Sequence, residues 1–464
     1  MTIKANHKQL WDAKLQAQTN WVAGLPNHMN KLLKRNSFSL GIFSAVLLLC
    51  QLCFPFSALS AELQTSLDDD YDSLIVYPKE RVINAKRMDK LMLRYRISKF
   101  QKINDKAYVI PLSKHEDKNS KIAELKKSGQ FSLVEPDYKL RLDEMVPERN
   151  YVKITKHSSE DNPVINTGTN EDNEITPNDK GFASQYYLRT INANRAWSVT
   201  TGDSSIIVGI LDTGIDKDHP DLTGKVIDES DIDQDYYKDI LGHGTEVAGI
   251  IAAKTNNNQG IAGISWNTKV LPLKITDDPG QAKVSTVVSA LDEAYNRGVK
   301  VVQISLSTNQ YSTTLQKAIK QAQDRGILIV SSAGNSGINE LRFPAAYSDV
   351  IAVGSVSQSK ELESYSTIGD FVGLVAPGTG ILTTSKNQAY ANVSGTSFST
   401  PQVAGAASLV WSINPNLSSD EVREILFQSA EDLGDPGKDE KYGYGLLNTD
   451  KAVQMAKAKM AEKN

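Results

Sequence analysis

Three side chains in this sequence have types that could act on one another: Asp212, His243 and Ser397. Ser397 lies in NVSGTSFSTPQVAG, behind a glycine-flanked approach and ahead of a helical-looking run, VAGAASLVWSI. A serine hydroxyl is a poor nucleophile unless a base takes its proton and donors stabilise the charge that follows. Without both, the stretch is only a tight helix start. His243, in LGHGTEVAGIIAA, stands between two glycines, so no neighbouring side chain shields the imidazole. A lone histidine is more often structural, and His219, in a DHPDL turn, is its one rival in this part of the chain. Asp212 leaves the end of the apolar run SSIIVGILDTGID, where Gly214 lets the chain turn; an aspartate alone there is usually a turn or cap residue. Together, acid, imidazole and alcohol would carry out nucleophilic acyl transfer. Spacing alone does not bring them together.

The elements that would have to do so are legible from about residue 181. SIIVGIL, KVLPLKI, VKVVQISL, GILIVSS and DVIAVGSV are short apolar runs that predict buried strands. STVVSALDEAYNRG and TTLQKAIKQAQDRG predict amphipathic helices that each end at a glycine. SSDEVREILFQSA opens with Ser418 and Glu421 at capping-box spacing. Buried strands alternating with helices predict an α/β fold, a parallel sheet covered on both faces, with sites at the C-terminal ends of the strands. Pro401 lacks an N–H and is tolerable only near the first turn of a helix. Ser397 therefore belongs at a helix N-terminus, where free N–H groups and the dipole favour negative charge.

The chain's 464 residues allow two or more domains, and a net charge of −4 gives no support for nucleic-acid binding. Both cysteines, Cys50 and Cys53, fall in one apolar stretch, SLGIFSAVLLLCQLCFPFSALSA, so the rest has neither a disulfide framework nor a cysteine site. KLLKR precedes that stretch and small residues follow it, the layout of a secretory signal peptide over 29–61, with residues 1–28 an upstream extension. Gln51 and Pro55 shorten the clean apolar run below the ~20 residues a membrane span wants. The expectation is an exported protein, secreted or at the cell surface, without stable membrane association once the leader is cleaved; an uncleaved membrane anchor is the alternative. Residues 62–143 predict a small α+β unit, its last strand FSLVEPDYKL. Residues 144–180, including SSEDNPVINTGTNEDNEITPNDKG, have almost no apolar periodicity and predict an exposed linker.

DTGID, HGTEVAG and SGTSFSTPQVAG, in that order, resemble the three signature blocks of the subtilisin-like serine proteases. Likeness continues through SSAGNSG, FPAAYSDVIAVGSVSQSKELESYSTIGD and LVAPGTGILTT, and covers nearly all of residues 181–450. The resemblance implies a three-layer α/β catalytic domain over 181–464 with a mostly parallel central sheet. It further implies a serine endopeptidase in which His243 is the base for Ser397, Asp212 orients the ring, and Asn335 supplies an oxyanion donor. Substrate would lie extended along Ser305, Leu306 and Ser307, although relatives commonly have glycine at the last position. Ser332, Ala333 and Gly334 would wall the pocket for the residue before the cleaved bond. KTNNNQGIAG resembles a structural calcium loop, with Asp221 and Asn257 side chains and the carbonyls of Lys254, Gln259 and Ile261 as ligands, and Asp179 or Gln185 as a further one. No catalytic cofactor is implied. Residues 62–143 resemble the inhibitory propeptide of such proteases, with self-cleavage near Asp143 and trimming to about Asn178.

The implied partners are polypeptide substrates and the chain's own propeptide, and the implied state is a monomer. A narrow processing protease that removes a leader peptide is the alternative on the same fold. An inactive peptide-binding homologue, or an amidase or esterase, would share it. Two departures stand out: Glu246 and Gln402 occupy positions where many relatives have histidine.

Overall fold

The computed structural model describes residues 71–79, 85–114, 116–142, 149–152, 154, 174–227, 238–277 and 280–462, all within one compact unit. The leader read in residues 1–61, the cleavage near Asp143 and most of the 144–180 stretch lie outside the described residues.

The first part is built from β1 (Ser73–Pro78), α1 (Ala85–Arg94), β2 (Gln101–Lys102), β3 (Tyr108–Pro111), α2 (Lys118–Lys127) and β4 (Phe131–Pro136). Its strands form an antiparallel sheet in the order β2-β3-β1-β4. Leu74 and Val76 on β1 meet Met88 and Met92 of α1 and Leu125 of α2 in a small separate core. The run FSLVEPDYKL, expected as one strand, is split in two. Pro136 offers no ladder donor, and the Asp137 carboxylate turns away to accept from Ser285 N at 2.9 Å and Ser285 Oγ at 2.7 Å. The chain resumes as β5 (Lys139–Leu142) in a different sheet.

Beyond it come β6 (Asn150–Val152) and two short helices, α3 (Tyr186–Thr190) and α4 (Ala193–Ala196). The central layer and its coverings follow: β7 (Ile207–Asp212), α5 (His243–Ala252), β8 (Lys269–Lys274), β9 (Gln281–Lys283), α6 (Val284–Asn296), β10 (Val301–Ile304), β11 (Leu306–Ser307), α7 (Thr313–Asp324), β12 (Leu328–Ser332) and β13 (Val350–Val356). The chain ends with β14 (Val372–Pro377), the hairpin β15 (Ile381–Ser385) and β16 (Ala389–Val393), then α8 (Thr396–Ile413), α9 (Ser419–Ser429) and α10 (Thr449–Glu462).

The expected parallel sheet is present with six strands in the order β14-β13-β12-β10-β7-β8. Its two faces bury different residues. Val208, Ile210, Val301, Val330 and Val353 face a core shared with α5 and α8, while Leu211, Val302, Ile304 and Ile329 face α6 and α7. Strand alternation therefore divides the interior into two apolar layers, the three-layer α/β sandwich. Expected helix ends hold: Gly298 and Gly326 both have positive φ, and Ser418 with Glu421 forms a capping box.

Within the exposed linker expected over 144–180, Asn150, Tyr151, Thr176 and Lys180 are exposed, but other described residues are built into the fold. β6 pairs antiparallel with β16, Ile154 packs with Ala253, Ile261 and Leu382, and Asp179 is buried. These contacts are long-range, so local composition carries no sign of them. No helix among the described residues is long and apolar enough to cross a membrane.

Candidate active site

Asp212 is the last residue of β7, fully buried at the C-terminal edge of the sheet. His243 is the first residue of α5, which is packed so closely that a Cβ on Gly244 would lie 2.1 Å from the Gly214 carbonyl oxygen. Only glycine fits there, and the approach brings His243 Nδ1 to 2.8 and 2.9 Å from the two Asp212 carboxylate oxygens. An ionised carboxylate only accepts, so Nδ1 carries the proton and Nε2 is left as the base nitrogen. Burial lowers the imidazole's proton affinity, but Asp212, with Glu246 and Asp239, outweighs it and raises the pKa above the usual value.

Ser397 is the second residue of α8, and the ring of the next residue, Phe398, lies 5.4 Å from the His243 ring. The Ser397 Oγ is buried and makes no hydrogen bond among the described residues. Pro401, four residues on, has no N–H for the Ser397 carbonyl, and Ser305 Oγ donates to that oxygen instead at 3.3 Å. Asn335 follows β12 by three residues. Its Oδ1 accepts from Thr396 N at 3.0 Å and Thr396 Oγ1 at 2.9 Å, which fixes the amide plane and turns Nδ2 toward Gly395. The four residues read as catalytic are thus delivered by the ends of β7 and β12 and the starts of α5 and α8.

Of the residues read as substrate-binding, Leu306 and Ser307 form β11, which pairs antiparallel with β5: Leu142 opposite Leu306, Arg141 opposite Ser307. On its other edge β5 pairs with β9, with Leu140 opposite Ala282. The chain's own segment therefore fills the groove between β11 and β9. Ser332, Ala333 and Gly334 are buried where β12 ends. The five residues read as metal-ligating also converge. Asn257 Nδ2 donates to Asp221 Oδ1 and Ile261 N to Oδ2, both at 2.8 Å; Lys254 N donates to the Asp221 carbonyl, and Gln259 N to Asn257 Oδ1. Gln185 is fully engaged with Tyr187 and Ala262, whereas Asp179 reaches the same loop through Asn256 N and Asn257 N.

Sequence reasoning missed Asp239. This buried carboxylate accepts from Gly242 N, Thr245 N, Thr245 Oγ1 and Thr213 Oγ1 at 2.6–2.9 Å, tying the start of α5 to the turn after Asp212. An aspartate a few residues before a helix was the available signal. Glu246, one turn beyond His243, is fully buried against Ser385 Oγ and paired with Arg149, Nε to Oε1 at 2.5 Å. Burial pushes its carboxyl up to about 7, although Arg149 and His243 pull it down. Gln402 donates from Nε2 to Pro377 O and Phe398 O, at 2.6 and 2.9 Å.

Residues 203–445 match the model of the Subtilase family. That match spans more than half of the 464-residue chain. The chain belongs to the subtilases. It is similar to a thermophilic serine proteinase of Bacillus sp. (strain AK1), 40% identical over 281 residues, covering 60% of this chain and 69% of that protein. Thermitase of Thermoactinomyces vulgaris is 38% identical, with 60% and 99% covered. Subtilisin DY of Bacillus licheniformis is 36% identical, with 58% and 98% covered. This subtilase is a serine endopeptidase, a hydrolase, and a narrow leader-removing role is not favoured.

Proposed function

We propose that this subtilase hydrolyses extended polypeptides through Asp212, His243 and Ser397, with Asn335 in the oxyanion hole, after export as a self-inhibited precursor. One observation carries the reading: Asp212 engages His243 Nδ1 with both oxygens while the buried Ser397 Oγ has no hydrogen-bond partner among the described residues. Ser397 Oγ attacks the peptide carbonyl as His243 Nε2 takes its proton. Asn335 Nδ2 and the Ser397 N–H hold the tetrahedral oxyanion; in subtilisin itself one such donor is worth about 3 kcal/mol. Collapse breaks the C–N bond, the imidazolium protonates the leaving amine, and water repeats the sequence on the acyl-enzyme. A serine-directed fluorophosphonate should label the mature enzyme and not Ser397→Ala, and denatured casein should be cut by the mature enzyme before labelling, but neither after labelling nor by Ser397→Ala. An unlabelled, inactive mature protein would sink the reading.

The inhibitory part is residues 62–143, supported by β5 lying in the groove where substrate would pair. Two carboxylates anchor it. Glu135 accepts from Ser312 Oγ, Thr313 N and Thr314 N at the start of α7, and Asp137 from Ser285 at the start of α6. Calcium fits the loop chemistry at Asp221 and Asn257. Burial raises both Asp221 and Asp179, the latter to about 6, and the Asp221 charge pushes Asp179 further in the same direction. A bound calcium ion would supply positive charge beside these two buried groups, and Asp221, the Asn257 side chain and the carbonyls of Lys254, Gln259 and Ile261 would be the oxygen donors to hold it. The leader supports secretion.

A further inference from the structure

We infer that Arg342 sets the pocket for the residue before the cleaved bond and gives this endopeptidase a preference for acidic side chains there; this rests on the endopeptidase reading above. Gly334, with φ +103, ends the wall segment that runs from β12 to Asn335, and the Arg342 side chain lies directly on it. A Cβ at Gly334 would be 3.1 Å from Arg342 Cγ and 3.2 Å from Nε. The next residue, Phe343, exchanges two backbone hydrogen bonds with Thr308, 2.9 and 2.7 Å, just past β11. Arg342 is thereby held between the pocket wall after β12 and the end of β11. Three quarters of its side chain is buried, and its Nη1 contact to Glu340 Oε1, at 3.2 Å, is with a residue of similar exposure. A guanidinium in that position matches a substrate carboxylate in charge and in planar geometry. The chain's own sequence agrees: the strand lying in the groove ends at Leu142, and the next residues are Asp143 and Glu144.

A panel of peptides differing only at that residue (Asp, Glu, Leu, Phe, Lys) tests this on the mature enzyme. The acidic members should show the highest kcat/KM. Arg342→Gln should lower the acidic-to-apolar ratio by about tenfold or more, the scale of a charge-assisted hydrogen bond. Glu340→Gln, which removes a competing carboxylate, should raise it. Leucine or phenylalanine favoured over both acids in the parent, or an unchanged ratio in Arg342→Gln, overturns the assignment while leaving the endopeptidase intact. No turnover of any peptide together with no fluorophosphonate labelling overturns the endopeptidase reading itself.

A separate observation carries a second inference: the geometry assigns residues 149–154 to the mature enzyme rather than to a discarded linker, with Arg149 as the resident counter-charge of Glu246. β6 adds a strand to the β15–β16 hairpin in a defined register, Asn150 opposite Asn392, Tyr151 opposite Ala391 and Val152 opposite Tyr390. Val152 and Ile154 pack on Ala253, Ile261 and Leu382, and a Cβ on Gly181 would come within 3.1 Å of Ile154 Cδ1. Removing the segment would strip this apolar cluster and leave Glu246 buried beside His243 without its cation. The cut that frees the groove therefore falls between Leu142 and Arg149.

Intact mass and N-terminal sequencing of the active mature enzyme should place its first residue between 143 and 149. A fully active enzyme that begins after Ile154 overturns the assignment. In that mature form Arg149→Met should lower Tm by roughly 5–10 °C, since one partner of a buried pair is lost. Adding Glu246→Gln should restore most of the loss, and keeps the test readable if the single variant does not fold. An unchanged Tm in Arg149→Met also overturns it.

Discussion

Two short strands, β5 and β6, are laid by the N-terminal chain on the catalytic domain, and they differ in what holds them. β5 is the middle strand of three, paired on both edges by backbone, with Leu140 buried in the core shared by α6 and α7. β6 is an edge strand paired only to β16, and its fixed points are a buried ion pair and two aliphatic side chains. Backbone pairing is tolerant of sequence, so the contacts that hold β5 place little demand on the identity of the strand that fills the groove. The Arg149–Glu246 pair is specific, because loss of Arg149 leaves a fully buried carboxyl without its cation. The first arrangement suits an occupant that is replaced; the second suits one that stays.

The strongest way to test the contrast is to stop the chemistry. Ser397→Ala should cost about 10⁶-fold in kcat, the scale measured for the nucleophile of subtilisin, and should leave β5 and β6 covalently joined, visible as an uncut precursor by mass. Asn335→Ala should lower kcat by about 10²–10³-fold with little change in KM, again on the subtilisin scale, and should slow self-cutting in proportion. Leu140→Ala loosens β5 alone. A buried leucine truncation costs about 2–5 kcal/mol, so the lag between the cut and casein activity should shorten at least about 30-fold. An unshortened lag would show that the groove strand is not what restrains the enzyme.

The smallest effect concerns β6 and pH. Burial holds the Glu246 carboxyl near 7 in the folded chain against an ordinary value of 4.5, so the group favours folding when protonated. That contribution is present below pH 4.5 and is lost as pH rises through about 7. Glu246→Gln should therefore flatten the fall of Tm between pH 5 and 8 while Arg149 is in place. The slope compared with the parent is the measurement, and identical slopes would remove Glu246 from the account.

Much of the site was legible because its local signals are strong. The glycines around His243 and the apolar runs ending in Asp212 and Ser332 belong to short stretches whose geometry neighbouring residues dictate. The break at Pro136–Asp137 was less visible, since FSLVEPDYKL alternates well enough for one strand and only the helix start at Ser285 draws the carboxylate aside. Glu246 was read as a replaced histidine and Arg149 as part of an exposed stretch, because a pair 97 residues apart leaves no pattern in either window.

By itself the sequence determined the alternation of buried strands and helices, the family, and which acid, imidazole, alcohol and amide were available for chemistry. These follow from side-chain periodicity and local backbone preference, which act over a few residues. Tertiary structure alone decided that His243 meets Asp212 through a gap only Gly244 permits, that β5 enters the groove, and that Arg149 neutralises Glu246. Each of those depends on the distance between remote surfaces after the sheet has formed, a quantity no stretch of sequence contains.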